Sequence, residues 1–158
     1  MEVKGMKELL QKLNSMDKAM KGRVIKNAVS KGAHTVQGAA KLLCPVDKGE
    51  LRNSIVTKVE EKADRVTGKI YTNKEYAACV EFGTGPKGNE DHDGISPNVT
   101  PSYREKGWSY KDEETGEWIY TKGQPAQPYM YPALKSCEEE VTKQIAEDVA
   151  SEIRKLVK

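Results

Sequence analysis

Phenylalanine occurs once in this 158-residue chain, histidine twice and tryptophan twice, and aromatic residues together make up only 6% of it. With an apolar share of 37% against 32% charged, the apolar stripes must be narrow and much of the surface ionic. Three cysteines, Cys44, Cys79 and Cys137, are odd in number and far apart, with no CxxC or Cys/His ligand spacing. That pattern argues against a disulfide scaffold and against a zinc module, and leaves reduced thiols as the expectation. No apolar run approaches the ~18 residues of a membrane span, and Lys4 and Lys7 precede no continuous apolar stretch. The expectation is a soluble protein made in the cytosol without a signal peptide and with no membrane partner. Nor does charge of one sign dominate: 26 basic and 24 acidic residues leave +2, too balanced to imply a polyanion partner by itself.

The charge that is present is unevenly placed. Up to Lys48 there are 10 Lys/Arg against 4 Asp/Glu, and beyond it 16 against 20. The length suits one domain spanning residues 1–158, which at this size buries roughly 68–70% of its unfolded surface. Packing against other subunits would help so ionic a chain.

Met6, Leu9, Leu10, Leu13 and Met16 recur at helical spacing and predict an amphipathic helix from about Lys4 to Met20. A second helix follows from the pattern Val24, Ile25, Ala28, Val29, Val36, Ala39, Ala40, Leu42 and Leu43, until Pro45 ends it. Its small residues Gly32, Ala33, Gly38, Ala39 and Ala40 would admit another backbone closely. Asp47 and Glu50 have capping-box spacing ahead of one helical turn at Glu50 to Asn53. Two β-rich runs, Ser54 to Val59 and Arg65 to Thr72, read as an antiparallel hairpin, with Gly68 marking a bulge. A short helix is expected within Asn73 to Phe82, and the Gly- and Pro-rich stretch from Pro86 to Pro101 as an exposed loop. Trp108 to Tyr110 and Trp118 to Tyr120 flank the polar turn KDEETGE and predict a second hairpin, completing an arm at about 86–122. Leu134, Val141, Ile145, Val149, Ile153 and Leu156 then mark a long C-terminal helix over about Pro132 to Val157. The order predicts an α+β domain: N-terminal helices and a long C-terminal helix packed on a small antiparallel sheet, with a projecting loop and hairpin.

Reactive chemistry is thinly represented. His92 lies between Asp91 and Asp93 in NEDHDG, yet neighbours in one loop rarely converge on an ion, and a solvated acidic loop is the simpler expectation. The cysteines sit among apolar or helical positions, with His34 near Cys44 the only imidazole within ten residues of any of them, so structural packing is expected. GTGPKG, Gly83 to Gly88, lacks the order that cradles phosphate. Lys18, Lys21, Arg23, Lys26 and Lys31 suit either a solvated helix face or DNA in transit, without aromatic residues to stack on bases. On the arm, Trp108, Tyr110, Trp118 and Tyr120 suit an intersubunit contact and cross-strand packing equally.

Three segments remain: CPVDKGELRNSI (Cys44–Ile55), YAACVEFGTG (Tyr76–Gly85) and GQPAQPYMYPAL (Gly123–Leu134). Each joins turn-forming residues to a few apolar anchors, the composition of a shaped junction. In this order, between N- and C-terminal helices, they resemble the gene-product-ten-like tail-component family of siphophages and prophages. The resemblance implies a structural protein of the head-to-tail junction, acting in tail completion or neck assembly. It would be a homo-oligomeric ring beside connector or tail-tube proteins, resident in the virion, without catalytic, cofactor or metal residues. The family motif carries over to Pro45, Asp47, Gly49, Leu51, Arg52 and Ser54, to Tyr76, Val80, Glu81, Phe82, Gly83 and Thr84, and to Gln127, Pro128, Pro132, Ala133 and Leu134. Lys48 stands where the motif usually has Thr, and Tyr129 and Met130 where Phe and Leu are common. Arg52 and Glu81 are charges set in apolar motifs and need partners, so an Arg52–Glu81 ion pair, within or between subunits, is expected. Two other functions compete. One is a metal-dependent hydrolase centred on Asn89–Gly94, and the other a DNA-binding module, not sequence-specific, that uses the basic helix.

Overall fold

The computed structural model describes Lys7, Gln11 and Asn14 and residues 18–63 and 65–156. The stripe expected from Met6 to Met16 lies outside the described residues, although Lys7, Gln11 and Asn14 are helical and exposed.

Among the described residues are five helices and two antiparallel hairpins, the α+β class expected. The order is α1 (Lys18–Leu43), α2 (Glu50–Ser54), β1 (Val56–Glu61), β2 (Val66–Tyr71), α3 (Ala77–Phe82), α4 (Gly85–Glu90), β3 (Trp108–Lys111), β4 (Trp118–Thr121) and α5 (Met130–Leu156). No helix among the described residues is long and apolar enough to cross a membrane. The chain divides into two compact units: Met1–Gly38 with Val56–Tyr71 and Ser136–Lys158, and Ala39–Ile55 with Thr72–Lys135.

In the first unit α1 buries Val24, Ala28, Ala33 and Val36, and α5 buries Ile153. Steps of four, five and three keep the α1 residues on one helical face. Gly32 brings the helices close, because a Cβ there would meet Val141 Cγ1 at 2.8 Å and Ile145 Cδ1 at 3.2 Å. β1 and β2 pair in unbroken register from Val56↔Tyr71 to Glu61↔Val66, with Gly68 opposite Val59. The expected bulge is therefore absent. The glycine serves a packing need instead: a Cβ at 68 would lie 3.1 Å from Ala33 Cβ and 3.2 Å from Val29 Cγ1, where α1 crosses the sheet. Polar links add to this packing. Thr35 Oγ1 donates to Gln144 Oε1 at 3.2 Å, Lys31 pairs with Asp148 at 3.2 Å, and Glu60 takes Lys69 at 2.6 Å and Lys58 at 3.3 Å.

The second unit buries Ala40, Cys44, Leu51, Ile55, Ala77, Tyr129 and Ala133. Leu42 departs from the expected stripe and is 79% exposed, as Leu43 and Leu134 are also exposed. Two residues past buried Ala40, Leu42 stands about 200° round the helix, off the buried face. α4 occupies part of the stretch expected as loop; Pro86 sits in its first turn, where a missing amide costs nothing. Beyond it the chain forms no regular element until β3.

Candidate functional site

The three conspicuous segments meet in the second unit. Pro45 stops α1, and Gly49 precedes α2 at φ 78°, a left-handed conformation that glycine adopts readily. No side chain caps α2, so the capping box expected from Asp47 and Glu50 does not form. Glu50 instead takes Lys74 Nζ at 2.6 Å, and that hydrogen bond holds its carboxyl below the usual range while raising the Lys74 ammonium. Leu51 and Ile55 drive the short helix into the unit's interior, and the Ser54 hydroxyl donates to the Leu51 carbonyl at 2.7 Å.

Glu81 is the buried charge of the site, 6% exposed. Its Oε2 accepts the amides of Tyr129 at 2.8 Å and Met130 at 2.9 Å, and Oε1 that of Tyr131 at 3.0 Å. A helix N-terminus leaves its first amides without intrahelical partners and carries partial positive charge, so a carboxylate is well matched there. This arrangement replaces the expected Arg52–Glu81 pair within the chain: Arg52 is exposed, and no ion pair between them occurs among the described residues. Backbone donors solve the problem of a buried carboxylate without burying a second charge. Arg52 is felt at Cys44, where burial pushes the thiol pKa up and the Arg52 charge partly opposes the shift. A thiol raised in this way is a packing group, not an activated nucleophile.

Phe82 and Gly83 turn the chain out of α3. Gly83 has φ 75° and ψ 176°, a region open essentially to glycine alone, and a Cβ there would lie 2.7 Å from the Ala126 amide nitrogen. Beyond it Thr84 and Gln124 form an antiparallel bridge, with the Thr84 amide donating to the Gln124 carbonyl at 2.9 Å. Gln124 Nε2 donates to the Cys79 carbonyl at 2.9 Å, and the Gln127 amide to the Val80 carbonyl at 2.8 Å. The Tyr103 hydroxyl donates to the Phe82 carbonyl at 2.7 Å, and burial raises its pKa. Tyr103, Gln124 and Lys74 escaped the sequence reading because each works through a backbone or long-range partner that no periodicity marks. Pro128 packs over Gly94, and Pro132 lies in the first turn of α5.

All three segments line one cleft of about 330 Å³, formed by Pro45, Asp47, Gly49 and Leu51, by Tyr76 and Val80, and by Gln124 and Gln127, with Lys48 and Glu50. Of the anticipated motif residues, Pro45, Asp47, Gly49, Leu51, Tyr76, Val80 and Gln127 reach this cleft, whereas Arg52, Ser54, Glu81, Phe82, Gly83, Thr84, Pro128, Pro132, Ala133 and Leu134 do not line it.

The Asn89–Gly94 stretch closes α4 and is exposed throughout, the solvated acidic segment expected. His92 Nδ1 donates to the Gly88 carbonyl at 3.0 Å and its ring packs on Tyr103, while the Asp91 carbonyl accepts the Ala126 amide at 2.9 Å. Among the described residues no group of three or more His, Cys, Asp or Glu side chains is placed to hold a metal ion.

On the arm, β3 and β4 pair Trp108↔Thr121, Ser109↔Tyr120, Tyr110↔Ile119 and Lys111↔Trp118, so no two aromatic residues stand directly opposite. Trp108 and Tyr110 occupy one face and Trp118 and Tyr120 the other. Trp108 is partly covered, lying over Gly85 and 5.4 Å from the Arg104 guanidinium. Trp118 is 73% exposed and Tyr120 62%. Lys48 Nζ meets Glu114 at 3.2 Å, bringing the arm's turn beside the cleft's lip.

Residues 7–83 match a family model described as "Bacteriophage HK97-gp10, putative tail-component". No curated protein and no solved structure matches the chain.

Proposed function

We propose, from the match of residues 7–83 to a family of bacteriophage tail components, that this chain is a structural subunit of the head-to-tail junction. It acts in tail completion or neck assembly as one member of a homo-oligomeric ring, and it touches connector or tail-tube proteins rather than transforming a substrate. The family match carries this reading. The exposed aromatic arm suits the ring, because a partner covering Trp118 and Tyr120 would take their apolar surface out of water. Arg23 and Lys26 on α1 are exposed and without an ion pair among the described residues, which suits weak contact with DNA in transit.

The test is electron microscopy of phage particles produced without the protein. Filled heads and complete tails should accumulate separately, and restoring the chain should join them. Joined, infectious virions in its absence would overturn the reading.

A further inference from the structure

The cleft and the arm are complementary surfaces carried by the same chain. The cleft has apolar walls in Pro45, Leu51 and Val80, a half-exposed Tyr76 ring, and polar groups from Gln124 and Gln127. Its volume of about 330 Å³ accommodates a single indole ring. Trp118 is the most exposed aromatic side chain among the described residues and is not among those that line its own cleft. Large aromatic anchors seated in preformed pockets dominate most protein interfaces.

Charge points to the same match. The arm's turn carries Asp112, Glu113, Glu114 and Glu117 against Lys111. Asp112 is engaged within the turn, while Glu113 and Glu117 have no ion-pair partner among the described residues. Asp47, Lys48 and Glu50 line the cleft, and Glu50 is neutralised by Lys74, so Lys48 at the lip and exposed Arg52 in α2 stand against the one carboxylate of Asp47 and leave a positive excess. Lys48 contacts Glu114 of its own chain through a wholly surface pair, the kind of bond that contributes little and exchanges readily.

We propose that Trp118 of one copy docks in the cleft of a second copy of this chain, with the acidic turn against that copy's Lys48 and Arg52. The Lys48–Glu114 pair is then traded for the same pair made between subunits. Arm and cleft are different surfaces, so the contact is head-to-tail and repeats until rotation closes a ring. The three segments would thereby form the receptor for the neighbour's arm. This inference rests on the ring reading above.

Full-length protein labelled with 5-fluorotryptophan gives two fluorine resonances, assigned with Trp118→Phe. Raising its concentration from about 10 µM to about 1 mM, the range in which a contact with a dissociation constant of about 100 µM fills, should shift the Trp118 resonance and leave that of Trp108 in place. Sedimentation should show larger species over the same range. Trp118→Ser removes the anchor and Gln127→Phe fills the cleft, both at surface-accessible positions, so each variant should keep wild-type helicity yet remain monomeric. Mixed in equal amounts, the two should form a heterodimer and nothing larger, because only one arm and one cleft remain usable. Lys48→Glu with Glu114→Lys should assemble better than either single change. A Trp118 resonance indifferent to concentration, or a mixture that stays monomeric, overturns the docking proposal. Particles lacking the protein report on the junction role independently, so unjoined heads and tails beside a silent Trp118 would refute the docking alone.

Discussion

Glu81 and Pro132 divide the first turn of α5 between them. The Glu81 carboxylate accepts the amides of Tyr129, Met130 and Tyr131, and the next residue, Pro132, has no amide to satisfy. Every backbone donor from Tyr129 to Pro132 is thus accounted for by one carboxylate from α3 and one imino acid in the helix. The second and third segments are coupled by this device, since the carboxylate from one anchors the helix start in the other.

Removing the carboxylate should therefore act on stability. Glu81→Ala leaves buried amides without an acceptor and should cost about 2–3 kcal/mol, the scale of hydrogen bonds to a charged group. For a chain of this size that is a fall of roughly 6–10 °C in melting temperature, measurable by circular dichroism. Arg52→Ala, at an exposed position, should change stability by less than about 0.5 kcal/mol. Equal losses from the two would restore the Arg52–Glu81 pair that the helix cap displaces.

The long elements were legible because periodicity and breakers agree along them. In α5 the apolar spacing, the early glutamates and the late Arg154 and Lys155 all point the same way, and the helix begins only two residues before the expected start. Both hairpins were legible from β-branched and aromatic runs on either side of polar turns. Partnership was not. Arg52 and Glu81 looked complementary because sequence displays side-chain charges, but the partner of Glu81 is backbone, which every sequence offers alike. Leu42, Leu43 and Leu134 fit a helical stripe by count, and only the direction of each helix face settles that they point outward. Gly68 reads equally well as a bulge or as a place of close approach, and the helix crossing there decides it.

Two glycines should respond in opposite directions to the same substitution. At Gly83 a Cβ meets backbone at 2.7–2.9 Å in a conformation that L-residues avoid, so Gly83→Ala should destabilise by more than about 2 kcal/mol. Gly38 lies in α1 with nothing within 4 Å of its added Cβ, and Gly38→Ala should stabilise by about 0.5–1 kcal/mol through helix propensity. Urea midpoints compared at constant slope would read both effects. A neutral Gly83→Ala would show that the turn out of α3 can relax.

The arm's turn should loosen in acid. Backbone and side-chain hydrogen bonds from Thr115, with the Glu114 amide, hold the Asp112 carboxyl below its usual range. A depressed folded-state pKa gives a contribution that is complete above the ordinary carboxylate value, near 3.9, and lost as pH falls through the lowered one. Amide exchange at Glu114 and Thr115 should accelerate across that window, and Asp112→Ala should show the fast exchange already at neutral pH. Protection independent of both pH and Asp112 would mean that strand pairing alone holds the turn.

At the alkaline end the informative group is Tyr129. Burial, with the neighbouring Cys44, Glu81 and Tyr76 charges, pushes its pKa up to about 12. An unfolded tyrosine ionises near 10, so between about pH 10 and 12 the unfolded chain releases a proton that the folded chain retains. Stability from this group is therefore complete below about pH 10 and declines as pH rises towards 12. Urea midpoints taken from pH 9 upwards should fall over that interval, and Tyr129→Phe should flatten the fall while leaving the other tyrosines to titrate. Since Tyr129 lies beside the amides that Glu81 caps, ionising it would place a second negative charge against that carboxylate, and the helix start should fray with the same pH dependence. An unchanged alkaline slope in Tyr129→Phe would locate the sensitivity in another group.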